Sequence, residues 1–317
     1  RRVLFRSMNN TDSVNLGEGN GYWGVGVYGS IVHSNDAKTW RQAVSPTQTL
    51  LTTVAFVDKN SGWIGGHDTL ILHTNDAGKS WEIQYEDPIT GGDIPKPILD
   101  ILFTDETTGY AIGAYGLVLQ TSNGGKLWSQ LDVSALYDRL DALEMEPEPN
   151  FNAAIPFADK ILIVGELGTI LIFDPATEIE DDRWEIKDSP YAGTFFGVKQ
   201  MRSGDIYIYG LRGNIYRSAD NLQSWEKIKT PLPASIYDCF ETPDGKVVFL
   251  GAGGTILSLD AGSTSSHRHP YSGFDTLMSG QINQDNSLIL FGSRGVKKFN
   301  LQSSKVQSSK VQSFKVQ

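Results

Sequence analysis

The chain holds one cysteine, Cys239, so no disulfide can form within it. No apolar run reaches the ~18 residues that a membrane-spanning helix needs. Cations are in deficit, 27 Lys and Arg against 37 Asp and Glu, for a net charge of −10. That balance excludes the broadly cationic face with which nucleic-acid-binding proteins release counterions. Neither a phosphate-cradling loop nor a nucleophile elbow occurs. His267 and His269 stand two apart with no further ligands in view, so no metal and no cofactor is expected. The opening Arg1 to Ser7 lacks the apolar stretch of an intact signal peptide. Cys239, beside Tyr237 and Phe240 in an apolar segment, reads as a buried structural thiol.

Glycine, by contrast, is abundant, with 33 residues in 317. Seven times a glycine precedes a second turn position by three residues: Gly26/Gly29, Gly65/Asp68, Gly113/Gly116, Gly165/Gly168, Gly210/Gly213, Gly251/Gly254 and Gly292/Gly295. The first glycines lie 39, 48, 52, 45, 41 and 41 residues apart, the period of a four-stranded propeller blade. Short β-rich runs surround each pair, separated by polar turns. The expected fold is therefore all-β, a seven-bladed propeller of four-stranded antiparallel blades spanning 11–301. Inner strands are expected near 11–17, 52–57, 98–103, 153–158, 194–201, 235–241 and 276–283. An aliphatic residue follows each turn, except in the seventh unit, where Lys297 stands.

Three stretches lie outside the repeat. Leu136, Leu140 and Leu143 recur at helical spacing within 129–150, which predicts a short helix between blades three and four. The seventh unit lacks a tryptophan-bearing fourth strand. Residues 1–10 are accordingly read either as a strand closing the ring, with 2–6 the donor, or as a non-native start. The tail 302–317 repeats Ser-Ser-Lys-Val-Gln and has no core-forming pattern, which predicts disorder.

A local motif recurs at the turn between the third and fourth strands. Its fullest copy runs from Thr74 to Trp81 through Asp76 and Gly78, and resembles the Asp-box of neuraminidase-type repeats. Its logic is structural: the aspartate accepts backbone N–H bonds, the glycine takes a positive φ, and the tryptophan anchors the outer strand. Degenerate copies carry Asp36 and Trp40, Asn123 and Trp128, Asp220 and Trp225, and Asp260 without a tryptophan. Trp40, Trp81, Trp128 and Trp225 are expected to be buried anchors.

Strand alternation places the turn between strands two and three on the opposite face, with the blade connections. A ligand or partner rim is expected there from Tyr28, His67, Tyr115, Arg212 and Arg294, with Glu166 adding a carboxylate. Arginine forks suit an anionic group or a partner's acidic segment. No catalytic residue is assigned.

Across 11–300 the chain resembles the photosystem II stability/assembly factor family and its bacterial relatives. The phrases that carry the resemblance are Gly66 to Asp76, Gly113 to Val118 and Gly165 to Gly168. It implies a non-enzymatic, monomeric, extracytoplasmic scaffold that binds protein, a membrane protein or its assembly intermediate. Only Arg212 and Arg294 match the family's arginine patch. The alternatives are a sialidase-like glycosidase, which needs a third arginine at the rim, and a carbohydrate-binding propeller using Tyr28 and Tyr115.

Overall fold

A computed structural model describes residues 10–16, 21–87, 95–145, 148–179, 182–301 and 312–313. Seven four-stranded antiparallel sheets follow one another along the chain and form a seven-bladed propeller. The inner strands are Asn10–Asn15, Leu51–Phe56, Ile98–Phe103, Phe151–Phe157, Phe195–Gln200, Ile236–Glu241 and Leu277–Ile282. The second strands are buried along their length in all seven blades, apart from Lys160 at the start of that of blade four. This is why they read as continuous apolar or glycine runs rather than as alternating patterns. Apolar clusters fill the spaces between adjacent blades, such as Trp23, Val25, Leu51, Ile64 and Trp81 between blades one and two.

Two closely spaced positions show how tightly the blades meet. Gly65 would place a Cβ 2.7 Å from Ile98, and Gly24 one 2.7 Å from the Phe291 ring. Neither contact leaves room for a larger side chain.

The ring closes between blades one and seven by side-chain contact. Ser13 and Ser279 hydroxyls lie 2.7 Å apart, Asn15 Nδ2 donates to the Ile282 carbonyl at 3.1 Å, and Gln281 Nε2 to the Ser13 carbonyl at 2.9 Å. Trp40 and Phe291 pack edge to face beside them, with centroids 5.4 Å apart. The fourth strand of blade seven is Gln312–Ser313, paired with Lys298 and Lys297. The slot expected for residues 2–6 is thus filled from the tail, so all four strands of this blade come from the C-terminal side. Residues 2–6 lie outside the described residues, as does the rest of the tail.

Lys297, the exception to the aliphatic rule, is buried and meets the Asp275 carboxylate and the Tyr271 hydroxyl. A buried ammonium is tolerable there because a carboxylate compensates it. His267–Arg268 forms the fourth strand of blade six.

The insertion contains helix α1 (Ser134–Ala142). Leu136 and Leu140 are fully buried against Phe151, Phe173 and Trp184. Leu143, the third leucine of the spacing, falls at the C-cap and is 58% exposed.

Candidate functional site

The turns between second and third strands share a face with the blade connections. In blades two to seven each opens by hydrogen bonding the residue before its own inner strand, as His67 N does to Leu50 O, Ala114 N to Pro97 O, Leu211 N to Thr194 O and Ser293 N to Thr276 O. Several then reach the next blade, as Gly29 N does to Thr49 O and Gly168 N to Gly193 O. On the other face, the third turn of blade two donates from Ala77 N to Asn60 O in the first hairpin.

Tyr28, Tyr115, Leu167 and Arg212 stand at the apices with φ of 55°, 52°, 50° and 58°. Each is exposed. An L-residue in this left-handed region costs roughly 1–2 kcal/mol, a cost that blade six avoids with Gly253. Blade two shows a shifted register. Its positive-φ pair is Asp68 and Thr69, so the matching glycine is Gly66 and the apex is Asp68. His67 occupies the half-buried first turn position rather than the apex. The glycine pattern misled because Gly65 and Gly66 are adjacent, and only the backbone conformation separates them.

Arg212 and Arg294 are exposed, and neither forms an ion pair among the described residues. Glu166 is half-buried, and its carboxylate accepts the Asn150 N–H at 3.3 Å, which ties it to its own connection. Helix α1 supports the rim at Tyr115. Tyr137 Oη and Lys96 Nζ both donate to the Tyr115 carbonyl, at 3.1 and 2.9 Å, while Asn150 Oδ1 accepts its N–H at 2.9 Å. Burial pushes the Tyr137 hydroxyl up to about 12. Phe274, in the connection into blade seven, is 87% exposed on the same face, a rim residue the repeat pattern gave no means of finding.

The opposite turns behave as hydrogen-bonded staples. Asp36 accepts Lys38 N and Thr39 N at 2.8 and 2.7 Å; Asp76 accepts Ser80 N at 3.0 Å, and Asp220 accepts Ser224 N at 3.0 Å. These bonds hold all three carboxyls down to about 2. Asn123 takes the same place in blade three, accepting Leu127 N at 2.9 Å. Asp260 departs from the pattern, with its carboxylate 3.7 Å from Lys246 Nζ. Trp40, Trp81 and Trp128 are buried, whereas Trp225 is only partly so. In that blade Leu222 stands where blades two and three have Gly78 and Gly125, and it buries its own side chain.

A third group, the carboxylates of the central channel, went unread in the sequence. Every inner strand carries a one-residue irregularity near its start. The residues following it are Asp12, Thr53, Asp100, Ala153, Gly197, Asp238 and Ser279. The three aspartates each accept an N–H of their own strand and one from the neighbouring inner strand: Val54 N to Asp12 at 2.9 Å, Ala154 N to Asp100 at 2.9 Å, and Gly280 N to Asp238 at 2.7 Å. Aspartate at a common register of the inner strands is the signal that would have found them.

Desolvation raises all three, Asp100 to about 7 and Asp238 to about 6. A carboxyl raised in the fold contributes stability that is full below its unfolded value near 4 and is lost as pH climbs through the folded value. The melting temperature is therefore expected to fall between pH 5 and 8. Asp100→Asn should flatten that fall; an equal slope in the variant would remove Asp100 from the account.

Set beside known proteins, the sequence has a clear match in part of its length. Residues 32–94 match the family of the photosynthesis system II assembly factor YCF48. The matched stretch runs from the third strand of blade one through blade two, and the resemblance read from the sequence holds. A search of curated protein sequences finds no match. Among solved structures, YCF48 bound to a D1 peptide is 18% identical with a TM-score of 0.69, covering 92% of this chain and 91% of that one. YCF48 from Cyanidioschyzon merolae is 16% identical with a TM-score of 0.71, covering 92% and 95%. A streptogramin B lyase is similar too, at 12% identity and a TM-score of 0.70, covering 94% of each chain. At these identities the structures establish the propeller and nothing finer.

Proposed function

We propose that the protein is a non-enzymatic scaffold that binds a polypeptide segment of a membrane protein, or of its assembly intermediate, on the turn rim. The reading rests chiefly on the apices: Tyr28, Tyr115, Leu167 and Arg212 accept a strained backbone conformation while exposed to solvent. Strain kept at exposed, rigidly supported positions is a mark of function rather than of folding. Apolar apices in blades one, three and four face a half that carries Arg212 and Arg294, a division suited to a segment with apolar and acidic parts. The similar YCF48 structure with a bound D1 peptide supports a peptide as the kind of ligand. The same family likeness supports an assembly role and an extracytoplasmic setting.

The test is affinity capture from a membrane extract of the source cells. The doubly reversed variant Arg212→Glu/Arg294→Glu is expected to lose at least tenfold of the captured partner with an unchanged melting temperature. Undiminished capture by that variant would overturn the proposal.

A further inference from the structure

The central channel encloses a cavity of about 520 Å³, within the size range of small-molecule sites. Asp12, Asp100 and Asp238 line it from blades one, three and six, against a single cation, Lys199 of blade five. A carboxylate has about four acceptor positions. The N–H and hydroxyl bonds described by the ring use two on Asp12 and three on each of the others. Each carboxylate is thus held rigid by the fold and keeps acceptor capacity toward the cavity.

A second feature points to a ligand independently. Tyr209 is 4% exposed, and its ring crosses the gap left by Gly197, where a Cβ would come within 2.3 Å of the hydroxyl. That hydroxyl lines the cavity without a hydrogen-bond partner among the described residues. The hydroxyl is thus free to give and accept a bond with whatever occupies the cavity.

The wall above is apolar. Phe196 and Tyr237, whose rings lie 5.2 Å apart, and Met278 occupy consecutive blades at the irregular position of their strands. The acidic groups do not gather at a point: among the described residues no three His, Cys, Asp or Glu converge as metal ligands. Negative charge spread around one level of the channel, beside an apolar wall, matches a flexible chain of separated cations better than a bare ion.

We propose that the channel binds a linear aliphatic polyamine, its ammonium groups received by Asp12, Asp100 and Asp238 and its methylenes by Phe196, Tyr237 and Met278. The groups that set the local charge are these three aspartates, Lys199 and the Tyr209 hydroxyl, with Thr53 and Ser279 as neutral neighbours. Burial lifts Asp100 to about 7 and Asp238 to about 6, so binding an ammonium draws protons off them and tightens as pH rises.

Isothermal titration of the full chain with spermidine tests this. At pH 8 one saturable site is expected, at least tenfold weaker at pH 5, with proton release between pH 6 and 7 and 1,8-octanediol giving no heat. Asp100→Asn and Asp238→Asn should each weaken binding at least tenfold, and Tyr209→Phe several-fold. Lys199→Met, which removes the competing ammonium, should tighten it and keeps the test open where an aspartate variant fails to fold. Absence of saturable heat at pH 8 overturns the proposal. So does spermidine affinity unaltered by Asp100→Asn and Asp238→Asn, since the polyamine would then be held by carboxylates on the outer surface.

Discussion

Replacing Trp40 with alanine is expected to lower the unfolding free energy by about 3–5 kcal/mol, the range for truncating a fully buried aromatic. The position makes this more than a generic core deletion. Trp40 has no exposed surface and packs with Tyr22, Val32 and Ala37 of blade one against Ile289, Phe291 and Val296 of blade seven. Those two blades are far apart in sequence and share no strand, so the seam depends on this cluster and on the polar bridges beside it. Chemical denaturation of wild type and variant measures the effect. A loss below ~1 kcal/mol would show that Trp40 is not the anchor of the seam.

Gly78→Ala should follow closely, at about 2–4 kcal/mol, combining the cost of a left-handed L-residue with that of overpacking. Gly78 has φ of +72°, and a Cβ there would lie 2.1 Å from the Trp23 ring of blade one. Relief would require moving Trp23, which is stacked on His33 and packed edge to face on Trp81. The control is Gly262→Ala, at φ +73° with nothing near the added carbon, which should cost only the backbone share. Equal losses at the two sites would mean that interblade packing at Gly78 adds nothing.

The propeller was legible because its repeat carries physical necessity. A Cβ on Gly113 would lie 2.1 Å from the Pro97 carbonyl, and Gly116 takes a positive φ; the same pair recurs in most blades, with Thr69 the exception in blade two. Inner strands such as Ile98–Phe103 are bounded by polar turns on both sides and fall where expected. Legibility failed where one local signal had two explanations. Gly65 and Gly66 both fit the turn pattern, and choosing Gly65 put His67 at an apex that belongs to Asp68. Leucine spacing found helix α1 but could not place its end, so Leu143 was counted with the buried face. The strand that completes blade seven was hidden in a low-complexity tail, whose Gln312–Ser313 pairing is backbone chemistry and needs no apolar side chain. The channel carboxylates were missed for a related reason. Asp100 is one polar residue in an apolar strand, Asp12 is one of several polar residues in its own, and only the alignment of seven strands shows that they share a level with Asp238.

That alignment also orders the molecule by depth and face. Asp36, Asp76 and Asp220 close turns on one side, Asp12, Asp100 and Asp238 clip inner strands together at the centre, and the strained apices stand on the other side. The claim that most needs testing is that the last of these is where a partner docks. Placing a benzophenone photo-cross-linker at Tyr115, and in a second variant at Lys79 on the opposite face, tests it most directly. Illumination in membrane extract should give a discrete cross-linked adduct from position 115, suppressed by Arg212→Glu/Arg294→Glu, and none from position 79. An adduct from position 79 alone would contradict the account and move the docking surface to the Asp-turn face.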